Sequence, residues 1–122
     1  MKLAVTSRGT TLDDPVDPRF GRCAHFVIVE TDDMAVESIE NRNASAGGGA
    51  GIQSAQLMAD KGVEAVITGN CGPNAFRTLE AAGIRVVIGA AGSVRDTVVQ
   101  YKAGTLSATD SPSVDSHAGM QG

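Results

Sequence analysis

Two consecutive strand–helix units in the second half of the chain limit the fold more than any other feature. Residues 63–68 and 84–88 are short apolar runs, and each leads through a glycine-containing turn into a segment with helical spacing. Strands joined by a helix pair in parallel, and their crossovers are right-handed. This half of the chain therefore predicts a parallel sheet with helices packed on it, which is an α/β fold.

The first half of the chain adds three strands. Residues 2–7, 25–30 and 34–40 are predicted strands, because they are rich in β-branched residues or alternate between apolar and polar positions. The short turn at Asp32 and Asp33 makes the second and third strands an antiparallel hairpin. The predicted element order is β-β-β-α-β-α-β-α.

Three helices are predicted. The first covers residues 52–61, the second runs from Pro73 to the residue before Gly83, and the third follows Ser93. Ser93 is predicted to be the N-cap of the third helix, with Asp96 three residues later. The inner faces of the three helices are predicted to carry Ile52, Ala55, Met58 and Ala59; Phe76, Leu79 and Ala82; and Val94, Val98 and Tyr101. Residues 1–106 then form one α/β domain, and residues 107–122, which lack periodicity, are predicted to be a flexible tail.

Composition excludes several classes of protein. The 122 residues carry a formal charge of -4, which disfavours a general nucleic-acid binder. No apolar run has the length of a membrane span, and the two cysteines give no disulfide framework. We expect a soluble protein of the reducing cytoplasm, with no membrane or nucleic-acid partner and with thiols that stay available as ligands.

In this order of elements, four loops leave one edge of the sheet. If the second strand is antiparallel to the first, residues 8–24, 41–51, 69–73 and 89–93 all follow the carboxyl ends of strands that run the same way. Ligands bind at that edge in open α/β sheets. Three helices also begin there, and their free N–H groups favour an anion. Cys23 and Cys71 are therefore expected to lie at this same edge of the sheet, which we call the rim.

The richest stretch on this rim is Asp17-Pro-Arg-Phe-Gly-Arg-Cys-Ala-His-Phe26. It contributes Arg19 and Arg22 for an anion, and Cys23 and His25 for a metal, with Cys71 as a further thiol. Each residue also has a plainer interpretation. The arginines would pair with Asp13, Asp14 or Asp17; the thiols and imidazole would be buried fillers; and the glycines at 47–51, which match no phosphate-loop motif, would be a flexible connector.

Three motifs, taken together, resemble the dinitrogenase iron–molybdenum cofactor-binding family. They are Asp17-Pro-Arg-Phe-Gly-Arg22, Gly47-Gly-Gly-Ala-Gly51 and Thr68-Gly-Asn-Cys-Gly-Pro-Asn-Ala-Phe76, and the resemblance extends over residues 1–106. Within the family the chain is similar to the small single-domain members, such as the orange proteins. The resemblance implies a three-layer ribonuclease-H-like fold with three helices and a five-stranded mixed sheet in the order 3-2-1-4-5, in which strand 2 is antiparallel.

The resemblance also implies a role in binding, carrying or assembling a metal–sulfur cofactor of the iron–molybdenum or molybdenum–copper sulfide type, without catalysis. It implies partners that are cofactor-assembly proteins or a MinD-type ATPase. The predicted cofactor-binding residues are Arg19, Phe20, Gly21, Arg22, Gly48, Gly49, Gly51, Gly69, Asn70, Gly72 and Gly92, and the predicted metal ligands are Cys23, His25 and Cys71.

Two other functions stay open on the residues alone. A nucleotide- or phosphate-binding regulatory module would use the same helix N-termini but would need no thiol. A metal-dependent nuclease would need clustered carboxylates for two divalent ions, and the first strand, residues 2–7, contains no acid.

Overall fold

The computed structural model describes residues 1–42, 49–109 and 111–112. The strands are β1 (Lys2–Ser7), β2 (His25–Glu30), β3 (Val36–Glu40), β4 (Ala65–Ile67) and β5 (Arg85–Val87), and the helices are α1 (Ala50–Asp60), α2 (Pro73–Ala81) and α3 (Val94–Ala103). This is the predicted order of elements.

The five strands form one mixed sheet in the order β3-β2-β1-β4-β5. β2 is antiparallel to both β1 and β3, whereas β1, β4 and β5 are parallel. β1, β3, β4 and β5 therefore end at the same edge, and the predicted mixed order is confirmed. The ribonuclease-H-like name for this arrangement stays a prediction.

Alternate residues of the strands belong to two apolar layers, one on each face of the sheet. Phe26 and Ile28 of β2 pack with residues of α1 and α2, whereas Val27 and Val29 pack with residues of α3. The sheet is thus covered by two helices on one face and one helix on the other, which gives three layers. Strands buried on both faces read as continuous apolar runs, as the sequence showed.

The predicted inner face of α1 was wrong at both ends. Ile52 is 36% exposed and Ala59 is exposed, while the buried residues are Ala50, Ser54, Ala55 and Met58. The helix also begins at Ala50, earlier than predicted. Its small residues face α2 because the two helices approach closely: a Cβ atom on Gly51 would lie 3.1 Å from the Ala75 Cβ. Close packing of small side chains outweighs hydrophobicity here.

Smaller differences affect α2 and the strands. Ala82 lies beyond α2 and is exposed, and Ala75 takes its place in the buried face. β3 begins at Val36 rather than Met34, because Met34 has a φ of 59° and belongs to the turn. The predicted runs 63–68 and 84–88 contain shorter strands.

The chain beyond α3 is described as far as residue 112, apart from residue 110. The Thr109 amide donates to the Val86 carbonyl oxygen at 2.7 Å, in an isolated antiparallel bridge on the outer side of β5. The tail prediction for residues 107–122 otherwise falls mostly outside the described residues and stays a prediction. None of the three helices has the length and apolar composition that a membrane crossing requires.

Candidate functional site

The long loop after β1 folds back onto the strand ends. Its Asp17 amide donates to the Thr6 carbonyl oxygen at 2.9 Å. Thr6 Oγ1 in turn donates to the Asp17 carbonyl oxygen at 2.6 Å and lies 2.9 Å from Thr68 Oγ1. Thr6, Thr68 and Asp17 are all buried. These hydrogen bonds fix the loop at the carboxyl ends of β1 and β4.

The next residues of the loop extend the parallel pairing beyond the sheet. Arg19 and Asn70 form a parallel bridge; the Phe20 amide donates to the Asn70 carbonyl oxygen at 3.1 Å, and the Asn70 amide donates to the Pro18 carbonyl oxygen at 2.7 Å. A Cβ atom on Gly69 would lie 2.7 Å from the Pro18 Cα. Only glycine at position 69 permits this approach.

The loop then crosses the start of α1. Gly21 has a φ of 94°, and a Cβ atom on it would lie 2.9 Å from the Gly51 Cα. The predicted site residues Phe20, Gly21, Gly51, Gly69 and Asn70 are thus brought together, and their role in binding a cofactor stays a prediction.

These contacts form a cleft of about 190 Å³ between the first turns of α1 and α2. We call it the α1–α2 cleft, and its lining residues are Phe20, Gly49, Gly51, Ile52, Gly72, Pro73, Asn74 and Ala75. Pro73, Asn74, Ala75 and Ile52 were absent from the predicted set of site residues. The sequence motif around Pro73 could have indicated the residues of α2, because a proline at the first helical position marks where a helix begins.

Both helix N-termini at this cleft lack a side-chain cap. The N-caps of α1 and α2 are Gly49 and Gly72, and neither offers a side-chain acceptor. Within the described chain, no acceptor is seen for the amides of Asn74 and Ala75 in α2. Unpaired first-turn amides carry the positive end of the helix dipole, so the cleft is suited to an anion.

The third helix start is different, because its amides are already used. Ser93 and Asp96 form a complete capping box, the Val94 amide donates to the Asp14 carbonyl oxygen at 2.9 Å, and the Arg95 amide donates to the Leu12 carbonyl oxygen at 2.7 Å. The predicted capping box is confirmed. The three helix starts therefore do not act alike, and α3 offers few free donors.

Gly92 lies away from the α1–α2 cleft. It lines a separate concavity of about 490 Å³, together with Arg8, Pro18 and Ser93. The loop over residues 8–22 thus separates two concave surfaces on the rim. Gly48 lies outside the described residues.

The arginines of the rim have different surroundings. Arg19 contacts the buried carboxylate of Asp17 with Nε 3.2 Å from Oδ1 and with a second nitrogen 3.3 Å from Oδ2. Its side chain is nevertheless 64% exposed. The Arg22 side chain is exposed, and its amide donates to the Arg19 carbonyl oxygen at 3.3 Å. The ion-pair interpretation is confirmed for Arg19 with Asp17.

The two thiols are buried in the same apolar layer, between the sheet and helices α1 and α2. Burial raises the pKa of Cys23, and likewise that of Cys71, to about 12. Both thiols are therefore protonated at neutral pH. The Asn41 side-chain amide lies 3.7 Å from the Cys23 Sγ and donates to the Cys23 carbonyl oxygen at 2.9 Å.

His25 belongs to the other face of the sheet. The alternation of β2 gives it the same side as Val27, which packs in the layer of α3. Its Nδ1 atom is buried without a hydrogen-bond partner. In the part of the chain that the structure describes, no three His, Cys, Asp or Glu side chains gather as a metal site would require. Metal binding by Cys23, His25 and Cys71 stays a prediction.

Comparison with known proteins agrees with this picture. A family model described as dinitrogenase iron-molybdenum cofactor matches residues 1–104. An uncharacterised protein of Methanocaldococcus jannaschii is 35% identical over 109 residues, which cover 87% of this chain and 89% of that protein.

Two solved structures are also similar. The apo form of the orange protein from Desulfovibrio gigas has a TM-score of 0.89 and 41% identity, and the match covers 91% of this chain and 94% of that one. A Thermotoga protein described as a candidate NifB protein of the DUF35 family has a TM-score of 0.77 and 37% identity, with 88% and 91% covered.

Proposed function

The chain belongs to the dinitrogenase iron-molybdenum cofactor family, and from this premise we propose that it binds and carries, or helps to assemble, an anionic metal–sulfur cofactor. The proposed cofactor is of the iron–molybdenum or molybdenum–copper sulfide type. The proposed role is binding and transfer of the cofactor, without catalysis.

One observation carries this proposal: two helix N-termini with unpaired amides open onto the same cleft. Each N-terminus favours an anion by about 0.3–1 kcal/mol at an exposed position, and more where water is excluded. Because the N-caps Gly49 and Gly72 have no side chain, neither residue supplies a carboxylate or hydroxyl to these amides. A sulfide-bridged cluster with net negative charge would accept these hydrogen bonds.

The other residues of the α1–α2 cleft have supporting roles in the proposal. Phe20 is 8% exposed and gives the cleft an apolar wall, and its ring lies 5.7 Å from that of Phe26, which fixes its position. Arg22, on the exposed part of the same loop, would add positive charge to the cleft's surroundings. The glycines at 21 and 69 shape the loop.

The thiols would contribute only after a change in protonation. A metal binds the thiolate, and the raised pKa values of Cys23 and Cys71 disfavour that form. We therefore assign the first role in holding the cluster to backbone amides. Ligation by Cys23, Cys71 or His25 would be a second step.

A carrier requires proteins that load it and receive its cargo, so we propose cofactor-assembly proteins as partners. The similarity to a candidate NifB protein supports this class of partner. A MinD-type ATPase and a cytoplasmic location are further predictions of the same role.

The test is anaerobic reconstitution of the full chain with iron, molybdate or copper together with sulfide. We expect visible absorption that stays with the protein through desalting. The matched variant is Gly72→Asp: the backbone at Gly72 has φ -71° and ψ 169°, which any residue adopts, and a Cβ atom there meets nothing within 4 Å. Its carboxylate would cap α2 and repel an anion, so the variant should fold and lose the colour.

Two outcomes would contradict the proposal. The first is a protein that stays colourless with every combination of metals. The second is a Gly72→Asp variant that retains as much cluster as the wild type. If inorganic phosphate or a nucleotide binds the colourless protein, and Gly72→Asp abolishes that binding, the phosphate-binding regulatory module replaces the cluster carrier. For a nuclease, the described residues offer no gathered carboxylates.

A further inference from the structure

We propose that the outer edge of β3 pairs with β3 of a second copy of the chain. The two strands would run antiparallel about a two-fold axis at Ser38, and the two five-stranded sheets would become one continuous sheet. The partner is therefore a second copy, and the contact is by strand addition.

The hydrogen-bond pattern of β3 leaves three residues with outward-facing backbone groups. The Asn41 amide donates to the Ala24 carbonyl oxygen and the Glu30 amide to the Ala35 carbonyl oxygen, each at 2.9 Å. In an antiparallel pair every second residue exchanges hydrogen bonds with the neighbouring strand. The residues between these, at positions 36, 38 and 40, therefore direct N–H and C=O groups away from β2.

The opposite edge of the sheet, formed by β5, makes a hydrogen bond with the segment that follows α3. There the Thr109 amide occupies the Val86 carbonyl oxygen of β5 at 2.7 Å. In the described parts of the chain, no backbone hydrogen bond covers the outer groups of Val36, Ser38 or Glu40. Native proteins cover, twist or charge such edges, because an open edge is a template for another strand. Among the described residues, one hydrogen bond thus covers the β5 edge and none covers the β3 edge.

The residues of β3 are complementary to themselves in one register. With Ser38 opposite Ser38, Val36 of each copy stands opposite Glu40 of the other, and Glu37 stands opposite Ile39. No glutamate then faces a glutamate directly, so the like-charge penalty of cross-strand pairs is avoided. All three outward residues of each strand fall into hydrogen-bonded pairs in this register. Val36 is 42% exposed in the single chain and gains a neighbour.

The flanks of β3 add opposite charges. Arg42 follows the strand, and in this register it is level with the turn of the other copy that contains Asp32 and Asp33. The two-fold axis repeats the contact. A groove of about 550 Å³ also runs beside β3, between the strand and α1, and its lining includes Leu57 and Arg42. Side chains of the second strand on the α1 side of the sheet would lie next to this groove.

The test compares disulfide cross-linking of two variants on the same strand. In Ser38→Cys the new thiols meet at the axis, where Cα atoms of a paired position lie about 5.5 Å apart. In Val36→Cys the two thiols are displaced by about 13 Å along the strands, since four residues at about 3.3 Å each separate them. Both side chains are exposed and the native cysteines are buried, so collisions give both variants the same background.

Under a mild thiol oxidant we expect Ser38→Cys to form covalent dimer at least on the order of tenfold faster than Val36→Cys, because docked thiols meet at an effective concentration near mM. A mixture of Val36→Cys with Glu40→Cys should form the mixed dimer. Equal rates for Ser38→Cys and Val36→Cys, or no mixed dimer, would overturn the proposal.

Sedimentation of the unmodified chain gives an independent measurement. We expect a monomer–dimer equilibrium that Ser38→Pro abolishes, because proline removes an outward N–H that makes no bond within the sheet. Ser38→Thr keeps that N–H and should keep the dimer. A wild type that is monomeric at every concentration, or a Ser38→Pro variant that dimerises equally well, would overturn the proposal.

Discussion

Gly69 and Pro18 approach so closely that a Cβ atom on Gly69 would lie 2.7 Å from the Pro18 Cα and 2.9 Å from the Pro18 carbonyl oxygen. That carbonyl oxygen accepts the Asn70 amide at 2.7 Å. The contact is therefore between two backbone segments, neither of which can rotate away as a side chain would. It determines where the loop places Phe20.

Replacing Gly69 by alanine should move the loop that carries Arg19 and Phe20. We expect a loss of about 1–3 kcal/mol of unfolding free energy, typical of overpacking a well-packed site, together with weaker cofactor retention. Urea unfolding and anaerobic reconstitution measure the two effects. Gly72→Ala is the control for stability, because a Cβ atom there meets nothing within 4 Å. Equal stability of the two variants would show that the Gly69 contact is unimportant.

The hydroxyl of Thr6 is expected to anchor the same loop from the sheet side. Thr6→Val removes the donor to the Asp17 carbonyl oxygen and should cost about 1–3 kcal/mol, because that oxygen and the Thr68 hydroxyl lose a buried partner. Thr6→Ser retains the hydroxyl and should recover most of the loss. If the serine variant is as unstable as the valine variant in urea unfolding, the hydrogen bond is not the cause.

Several features of this structure were predictable from the sequence. The capping box needs only Ser93 and Asp96, three residues apart, and the order of strands follows from the hairpin and the two strand–helix units. Four strands end at one edge because of this order and of the antiparallel direction of β2. Each of these inferences depends on neighbouring residues or on general rules of connection.

The features that the sequence missed depend on distant contacts. Ser54 is buried in α1 while Ile52 is 36% exposed, although hydrophobicity alone predicts the opposite. The side of α1 that is buried is set by the close approach of α2, where a Cβ atom on Gly51 would lie 3.1 Å from the Ala75 Cβ. The α3 amides looked free until the structure placed the carbonyl oxygens of Leu12 and Asp14 against them. No local pattern predicts which loop will occupy a helix start.

The buried thiols should make stability depend on alkaline pH. The pKa of Cys23 and that of Cys71 rise from 9.0 to about 12 on folding, so the folded chain keeps protons that the unfolded chain releases. Their contribution is complete below 9.0 and is lost as pH rises towards 12, by about 1.4 kcal/mol per pH unit for each thiol.

Urea unfolding across this pH window measures that slope. The double variant Cys23→Ala with Cys71→Ala lacks both groups, so its stability should fall less steeply with pH, although its stability at neutral pH is lower because of the cavities. The quantity compared is the difference between the two proteins in the slope of unfolding free energy against pH. Tyrosine and lysine titrate in both proteins, so their contribution cancels in this difference. Identical slopes would mean that the thiols already ionise freely in the folded chain.

The cap of α3 allows a prediction about which helix starts belong to the site. Ser93→Ala removes the acceptor of the Asp96 amide, which it holds at 3.0 Å, and should cost about 0.5–2 kcal/mol of unfolding free energy. Cofactor retention should nevertheless be unchanged, because α3 lies outside the α1–α2 cleft. Gly72→Asp is expected to behave in the opposite way, with retained stability and lost cofactor. Reconstitution and thermal unfolding of both variants in parallel measure this reversal. A Ser93→Ala variant that folds and loses the cofactor would show that α3 belongs to the site, and that all three helix N-termini at the rim take part in binding.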